Sequence, residues 1–102
     1  MALTVENASF DPISRMMSVN GDHVPLSRAE GIVIERFMRS LGRVVTKEQL
    51  AESIYSFNEE YTENAVEVHV HRVRRKLESS GARPSIRTVR GLGYIMVAES
   101  TS

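Results

Sequence analysis

The chain has 102 residues, of which 41% are hydrophobic and 25% charged, and this suffices for one small domain with a single core. It has no cysteine, which excludes disulfide bridges and thiolate metal sites and suits a reducing cytoplasm. It has no apolar run near the roughly 18 residues of a membrane span and no secretory leader. We therefore expect a cytoplasmic protein without membrane contact.

The formal net charge is zero, but the charged residues are sorted along the chain. Residues 69–90 contain seven Arg or Lys and one acid, whereas residues 1–68 contain six Arg or Lys and eleven acids. The average conceals a cationic segment suited to a polyanion such as nucleic acid.

The first 26 residues predict a small antiparallel β-sheet, because short runs of β-forming side chains alternate with turn signals. The extended runs are residues 3–5, 16–19 and 23–26. Asn20 and Gly21 supply the two positive φ angles of a type I′ hairpin turn between the last two runs. Pro25 confines its strand to an edge or an end of the sheet, since proline lacks the N–H that a central strand needs.

Three helices are predicted in the middle of the chain, over about residues 27–41, 46–55 and 62–79. The first begins with a capping box, in which the Ser27 and Glu30 side chains satisfy free backbone N–H groups. Thr46 and Gln49 repeat this pattern at the start of the second helix. Gly42 is expected to end the first helix. Burial of that helix on more than one side is predicted by its widely spread apolar residues: Ile32, Val33, Ile34, Phe37, Met38 and Leu41.

The third helix divides into a core-facing side and an outward side at about 100° per residue. The predicted core-facing side consists of Val66, Val70, Val73 and Leu77. The outward side is polar and cationic apart from one valine, and it consists of Asn64, Val68, His71, Arg72 and Arg75. Arg74 lies nearer the flank of the helix. Thr62 is expected to cap the first turn, and Gly81 is expected to end the helix.

Two β-branched and aromatic runs flank the turn Gly91-Leu92-Gly93 and predict a hairpin over about residues 86–97. The order of elements predicts a single α+β domain over residues 1–102. It is a winged helix-turn-helix with an N-terminal antiparallel sheet, three helices and a C-terminal β-hairpin wing. A basic helix followed by a basic wing is how such domains meet a polyanionic duplex. The pattern therefore favours sequence-specific binding of double-stranded DNA.

Several ordered blocks carry a resemblance to a known family. They are VEVHVHRVRRKLE at residues 66–78, IRTVRGLGYIM at residues 86–96, LSRAE at residues 26–30 and GRVVTKEQL at residues 42–50. Together they resemble the C-terminal winged-helix DNA-binding effector domain of OmpR/PhoB-type response regulators. These are bacterial transcription regulators of two-component phosphorelay systems. The similarity extends over nearly the whole chain in the same order.

The resemblance implies that the third helix lies in the major groove and that the wing reaches the adjacent minor groove. Arg72 corresponds to the base-reading arginine, Val68 to the apolar base contact and Arg90 to the minor-groove arginine. The residues that correspond to phosphate contacts are His69, His71, Arg74, Thr88 and Tyr94. Asn64 and Ala65 stand where many members have Arg-Thr, which removes one phosphate cation. A histidine at position 71, where an arginine is frequent, makes that contact sensitive to pH.

The loop between the second and third helices, residues 55–61, is unusually rich in aromatic and acidic side chains. The resemblance implies that this loop contacts RNA polymerase, through Tyr55, Phe57, Glu59, Glu60 and Tyr61. The alternative is that its aromatic rings fold back onto the domain as a small satellite core. The sequence favours neither interpretation.

Acidic and histidine residues do not indicate an enzyme or a metal site. Glu59 and Glu60 have no partner base, nucleophile or pocket motif, and we expect a solvated, non-catalytic loop. His69 and His71 point about 160–200° apart on a helix and cannot share an ion. We expect no metal and no cofactor.

The resemblance also implies a set of partners: promoter DNA, a second copy of the domain placed head-to-tail on direct repeats, and RNA polymerase. An upstream receiver domain, expected to be absent from this chain, and a sensor kinase would act in the full-length protein. The alternative function is a protein-interaction module that docks an acidic partner through the basic helix and hairpin. RNA binding is disfavoured, because a helix cannot read the deep, narrow A-form major groove and the stacking aromatics of RNA-binding modules are missing.

Overall fold

An N-terminal sheet, three helices and a C-terminal hairpin follow one another in the computed structural model, which describes residues 2–99. The strands are β1 (Leu3–Val5), β2 (Ala8–Asp11), β3 (Met16–Val19), β4 (Asp22–Val24), β5 (Val44–Val45), β6 (Ser85–Val89) and β7 (Gly93–Val97). The helices are α1 (Arg28–Arg39), α2 (Lys47–Ile54) and α3 (Glu63–Ser80). This confirms the predicted α+β winged-helix order.

The N-terminal sheet is antiparallel, with the strand order β1-β2-β3-β4. Asn20 and Gly21 have φ angles of 54° and 84°, as the predicted type I′ turn requires. Strand β4 is an edge strand that ends immediately before Pro25, which agrees with the expected effect of that proline. Strand β2 was not predicted, because its alternation extends over only four residues and Phe10 is its one large apolar side chain.

The three helices lie close to their predicted positions. Both capping boxes, Ser27 with Glu30 and Thr46 with Gln49, are formed. The expected end of α1 at Gly42 is wrong, because the helix ends at Arg39 and is capped by Ser40. Gly42, with a φ of 78°, instead turns the chain towards β5, and its N–H donates to the Met96 carbonyl at 3.0 Å.

The core lies between the helices and the inner faces of the two sheets. The predicted core-facing side of α3 is confirmed, since its members are at most 2% exposed: Val66, Val70, Val73 and Leu77. From α1 the buried apolar residues are Val33, Ile34, Phe37 and Met38. Leu41 does not join them and is 41% exposed, because the helix has ended before it. No helix among residues 2–99 has the length and hydrophobicity that a bilayer span requires.

The C-terminal hairpin belongs to a three-stranded sheet with the order β5-β7-β6. Strand β5 was not predicted, since two residues are too few for a recognisable pattern. It pairs with β7 through Val45 and Tyr94. A Cβ atom at Gly93 would lie 2.3 Å from the Val45 carbonyl oxygen, and only glycine allows this approach. The wing is therefore attached to the loop before α2 as well as to α3.

Hydrogen bonds near the C-terminal end of α3 join it to the N-terminal half of the chain. The Lys76 ammonium donates to the Glu30 carboxylate at 2.6 Å and to the Pro25 carbonyl at 2.7 Å. At the C-cap of the helix, the Asn7 side chain donates to the Gly81 carbonyl at 2.9 Å. These bonds connect α3 to α1 and to the N-terminal sheet, and they help to fix the direction in which its outward side points.

Candidate nucleic-acid interface

Helix α3 presents one side to solvent along its whole length. Its first turn is capped by the Thr62 hydroxyl, which accepts from the Ala65 N–H at 3.1 Å, and Gly81 ends it in the left-handed conformation. Every residue predicted for the outward side is exposed: Asn64, Val68, His71, Arg72 and Arg75. Val68 is 36% exposed, an unusual environment for a valine on an otherwise polar surface.

Two arginines on this outward side have no partner within residues 2–99. Arg72 and Arg75 are exposed, and neither side chain forms a hydrogen bond, an ion pair or a ring contact there. Each guanidinium keeps five N–H donors in a planar fork, which is the geometry that recognises guanine edges and phosphates. The structure thus leaves strong, directional donors available to an external acceptor.

The wing carries a further exposed arginine at its tip. Arg90 follows directly after β6, and the turn continues through Gly91, whose φ of 79° requires glycine or a strained residue. The turn is closed by the Leu92 N–H, which donates to the Val89 carbonyl at 2.9 Å. Arg90 therefore projects from a closed, tight turn.

Arg74 does not point into solvent like its neighbours on α3. Its Nε donates to the Ile86 carbonyl at 3.0 Å, and its Nη2 donates to the Thr88 hydroxyl at 3.2 Å. The guanidinium carbon also lies 5.9 Å from the centre of the Tyr94 ring. The structure thus brings together three of the residues predicted to contact phosphate, and it joins them to one another across α3 and the wing. Sequence reasoning gave no sign of these contacts.

Tyr94 is mainly a core residue. It is 6% exposed, and its ring meets Phe37 edge to face with centroids 6.5 Å apart. Burial raises the pKa of its hydroxyl. Thr88, by contrast, is exposed on β6.

The aromatic loop between α2 and α3 divides into two parts. The rings of Tyr55 and Tyr61 stack 4.9 Å apart, and the Tyr55 hydroxyl lies 3.3 Å from Nε2 of the half-buried His69. Tyr55 packs against the core, whereas Tyr61 remains 48% exposed. Phe57 is fully exposed at 101%, which is the environment of a contact residue. Nearby, two hydrogen bonds from Ser56 lower the pKa of the Glu59 carboxyl.

The histidine and acidic side chains on and near α3 do not form a cluster. His69 turns towards Tyr55, whereas His71 is exposed on the outward side of α3. In the part of the chain that the structure describes, no group of three or more His, Cys, Asp or Glu side chains could hold a metal ion.

Comparison with known proteins identifies the family. A family model described as "Transcriptional regulatory protein, C terminal" matches residues 21–96. The chain is 42% identical over 90 residues to the probable transcriptional regulatory protein y4xI of Sinorhizobium fredii, covering 88% of this chain and 40% of that protein. It is also 42% identical over 90 residues to the transcriptional regulatory protein QseB of Escherichia coli O157:H7, covering 88% and 39%.

A solved structure gives the same result. The DNA-binding domain of CpxR from E. coli superposes with a TM-score of 0.82 at 27% identity, covering 98% of this chain and 99% of that one. The chain spans about two fifths of the length of the relatives it matches in sequence, at 40% and 39%. The chain is therefore a DNA-binding effector domain of the OmpR/PhoB-type family of bacterial response regulators, and not an enzyme.

Proposed function

We propose that this domain regulates transcription by placing α3 in the major groove of a specific promoter duplex and Arg90 of the wing in the adjacent minor groove. The observation that carries this is the pair of exposed arginines, Arg72 and Arg75, which have no partner within residues 2–99. A guanidinium fork that is free in the protein matches the O6 and N7 acceptors of guanine.

The remaining contacts follow from where the side chains stand. Base edges are assigned to the outward side of α3: Asn64, Val68, His71, Arg72 and Arg75. The methyl groups of Val68 suit a thymine methyl, which is the apolar feature of the major groove. Phosphate contacts are assigned to His69, which lies beside Tyr55, and to the rim between α3 and the wing, with Arg74, Thr88 and Tyr94. Of these, Tyr94 is only 6% exposed.

We further propose that two copies occupy the operator head-to-tail on direct repeats. Such an arrangement makes the two contact surfaces different, with the N-terminal sheet of one copy meeting the α3 and hairpin region of the other. Half-sites about one helical turn apart place both α3 helices on the same side of the duplex.

Spacing variants test this arrangement. Inserting about five base pairs between the half-sites should abolish cooperative binding, and inserting about ten should partly restore it. The isolated domain should be largely monomeric without DNA. A tight dimer without DNA, or a selected site with inverted symmetry only, would contradict the proposal.

The rest of the full-length protein enters as part of the same proposal. A receiver domain upstream of this one, phosphorylated by a sensor kinase, would control DNA occupancy in the cytoplasm. The loop at residues 55–61, with Phe57, Glu59 and Glu60 exposed, would contact RNA polymerase.

The deciding experiment is selection of bound sites from a random duplex library, followed by titration of the best site at several salt concentrations. DNA binding through cations requires a steep fall of log K with log salt, by about 0.9 for each phosphate neutralised. A scrambled duplex of the same length is the control. Equal affinity for both duplexes would contradict sequence-specific binding, and a flat salt dependence would favour an acidic protein as the partner instead.

A further inference from the structure

Arg74 connects the two elements that the proposed function assigns to different grooves. It stands on α3, and its guanidinium donates to two acceptors on β6, the Ile86 carbonyl and the Thr88 hydroxyl. Strand β6 is an edge of its sheet, since the order is β5-β7-β6. An edge strand presents backbone groups that no neighbouring strand satisfies, and Arg74 satisfies one of them.

We propose that Arg74 is a positioning residue for the wing, and that its two hydrogen bonds to β6 set the placement of Arg90 relative to α3. The consequence for DNA rests on the proposed function, because it concerns contacts in the two grooves. Arg74 would thus govern the affinity of Arg90 for the minor groove without needing any contact of its own there.

Because of the length of the wing, a small change of angle at the Arg74 contact displaces the wing tip appreciably. Arg90 lies four residues beyond Ile86, about 13 Å along an extended strand. A tilt of about 10° at Ile86 would therefore displace the wing tip by about 2 Å, a large fraction of a minor groove that is roughly 6 Å wide. The other attachment of the wing, strand β5, pairs with β7 and leaves β6 without a strand on its outer side.

The fork geometry of arginine is essential to this role. Two donors held apart on one rigid plane, Nε and Nη2, meet the two acceptors on β6, and the single nitrogen of a lysine ammonium lacks this planar spacing. Two of the five N–H donors are used in this way, and the others remain able to meet a phosphate. Arg74→Lys therefore separates the two roles, because lysine keeps the positive charge and loses the fork.

The first measurement is made on the free domain, by hydrogen exchange of the β6 and β7 amides. Arg74→Lys should speed the exchange of the wing amides roughly tenfold, the effect of losing about one charge-assisted hydrogen bond. Arg75→Lys is the matched control, since Arg75 is the next residue on α3 and is exposed. Its wing amides should exchange as in the unaltered domain. Wing exchange unchanged by Arg74→Lys would overturn the proposal.

The second measurement is a double-mutant cycle on the selected duplex. Arg74→Lys should weaken binding roughly three- to tenfold with an unchanged salt slope, and this loss should disappear in an Arg90→Ala background. A loss of the same size in both backgrounds would show that Arg74 acts independently of the wing, and would overturn the proposal. If no duplex binds at all, the proposed function fails, and the exchange measurement alone still decides whether Arg74 holds the wing.

Discussion

Basic side chains lie both on the outward side and on the flanks of α3, but those on the flanks are bonded to other parts of the domain and those on the outward side are not. On the outward side, Arg72 and Arg75 are exposed and have no partner within residues 2–99. On the flanks, Arg74 is bonded to the wing, and Lys76 is bonded to the Glu30 carboxylate and the Pro25 carbonyl.

This difference shows that a basic run in sequence is not a uniform basic surface. Between residues 72 and 76 only Val73 is apolar, and the sequence does not distinguish the roles of the four basic residues. In the folded domain Arg74 and Lys76 are bonded to other elements, whereas Arg72 and Arg75 have no partner within residues 2–99. Counting Lys76, whose ammonium is paired inside the protein, as a DNA contact would overstate the charge that the duplex has to match.

Lys76→Met is expected to give the largest effect, a loss of about 2 kcal/mol of folding free energy. It leaves the buried Glu30 carboxylate without its cation, and an unpaired buried charge is costly. Chemical denaturation of the free domain measures the change. Lys47→Met is the control, because its ion pair with Glu67 is exposed and should contribute less than about 1 kcal/mol. Equal losses of folding free energy in the two variants would show that Lys76 stabilises the fold no more than an exposed ion pair does.

Arg72→Ala, unlike Lys76→Met, should affect DNA binding and not folding. We expect folding stability to stay within about 0.5 kcal/mol and base discrimination to be lost. We expect a cost of about 1–3 kcal/mol at one position of the binding site, because a bidentate contact to guanine is lost. Affinities for the selected duplex and for a duplex altered at that position measure the effect. Arg39→Ala, which removes a cation from α1, is the control. An unchanged ratio of specific to scrambled affinity would show that Arg72 does not read a base.

Acid should weaken the flank contact of Lys76, because the Glu30 carboxylate that accepts from it becomes protonated. Burial alone raises the pKa of Glu30, but the hydrogen bonds from Lys76 and Ser27 outweigh it and hold the pKa below its ordinary value of 4.5. A carboxyl with a lowered folded-state pKa contributes stability above its unfolded pKa and loses it as pH falls through the folded value. Denaturation curves below pH 4.5 should therefore show a steeper loss in the unaltered domain than in Glu30→Gln. An equal loss of stability with falling pH in the two proteins would contradict this prediction.

Phe57→Ser should give the smallest effect, within about 0.5 kcal/mol of folding stability, because the side chain is fully exposed. Tyr55→Ser, at the other part of the same loop, should cost more, since Tyr55 stacks on Tyr61 and meets His69. Thermal unfolding of the two variants compares them directly. A larger loss for Phe57→Ser would mean that its ring also packs against the domain.

Features that depend on neighbours a few residues away could be predicted from sequence. The capping boxes at Ser27 and Thr46, the left-handed end of α3 at Gly81 and the turn at Asn20 are of this kind. The buried and outward sides of α3 could also be predicted from the sequence, because helical periodicity orients each side chain without reference to the rest of the fold.

Strands β2 and β5 escaped prediction because their signals are too short. Strand β2 has one large apolar residue, Phe10, and β5 has only Val44 and Val45. Both are formed because neighbouring strands supply their hydrogen bonds, β1 and β3 in one case and β7 in the other. A strand of two to four residues has little preference of its own, and its pairing decides its existence.

The sequence by itself determined the order of N-terminal sheet, three helices and wing, the family and the side of α3 that faces outward, because local spacing and ordered motifs carry that information. Tertiary structure alone decided which cations are free. Arg74 meets β6 across 12 to 14 residues of chain, and Lys76 meets Glu30 across 46. Whether a guanidinium or an ammonium has a partner depends on what the fold places within about 3 Å of it, and hydrogen bonds are lost beyond that short range.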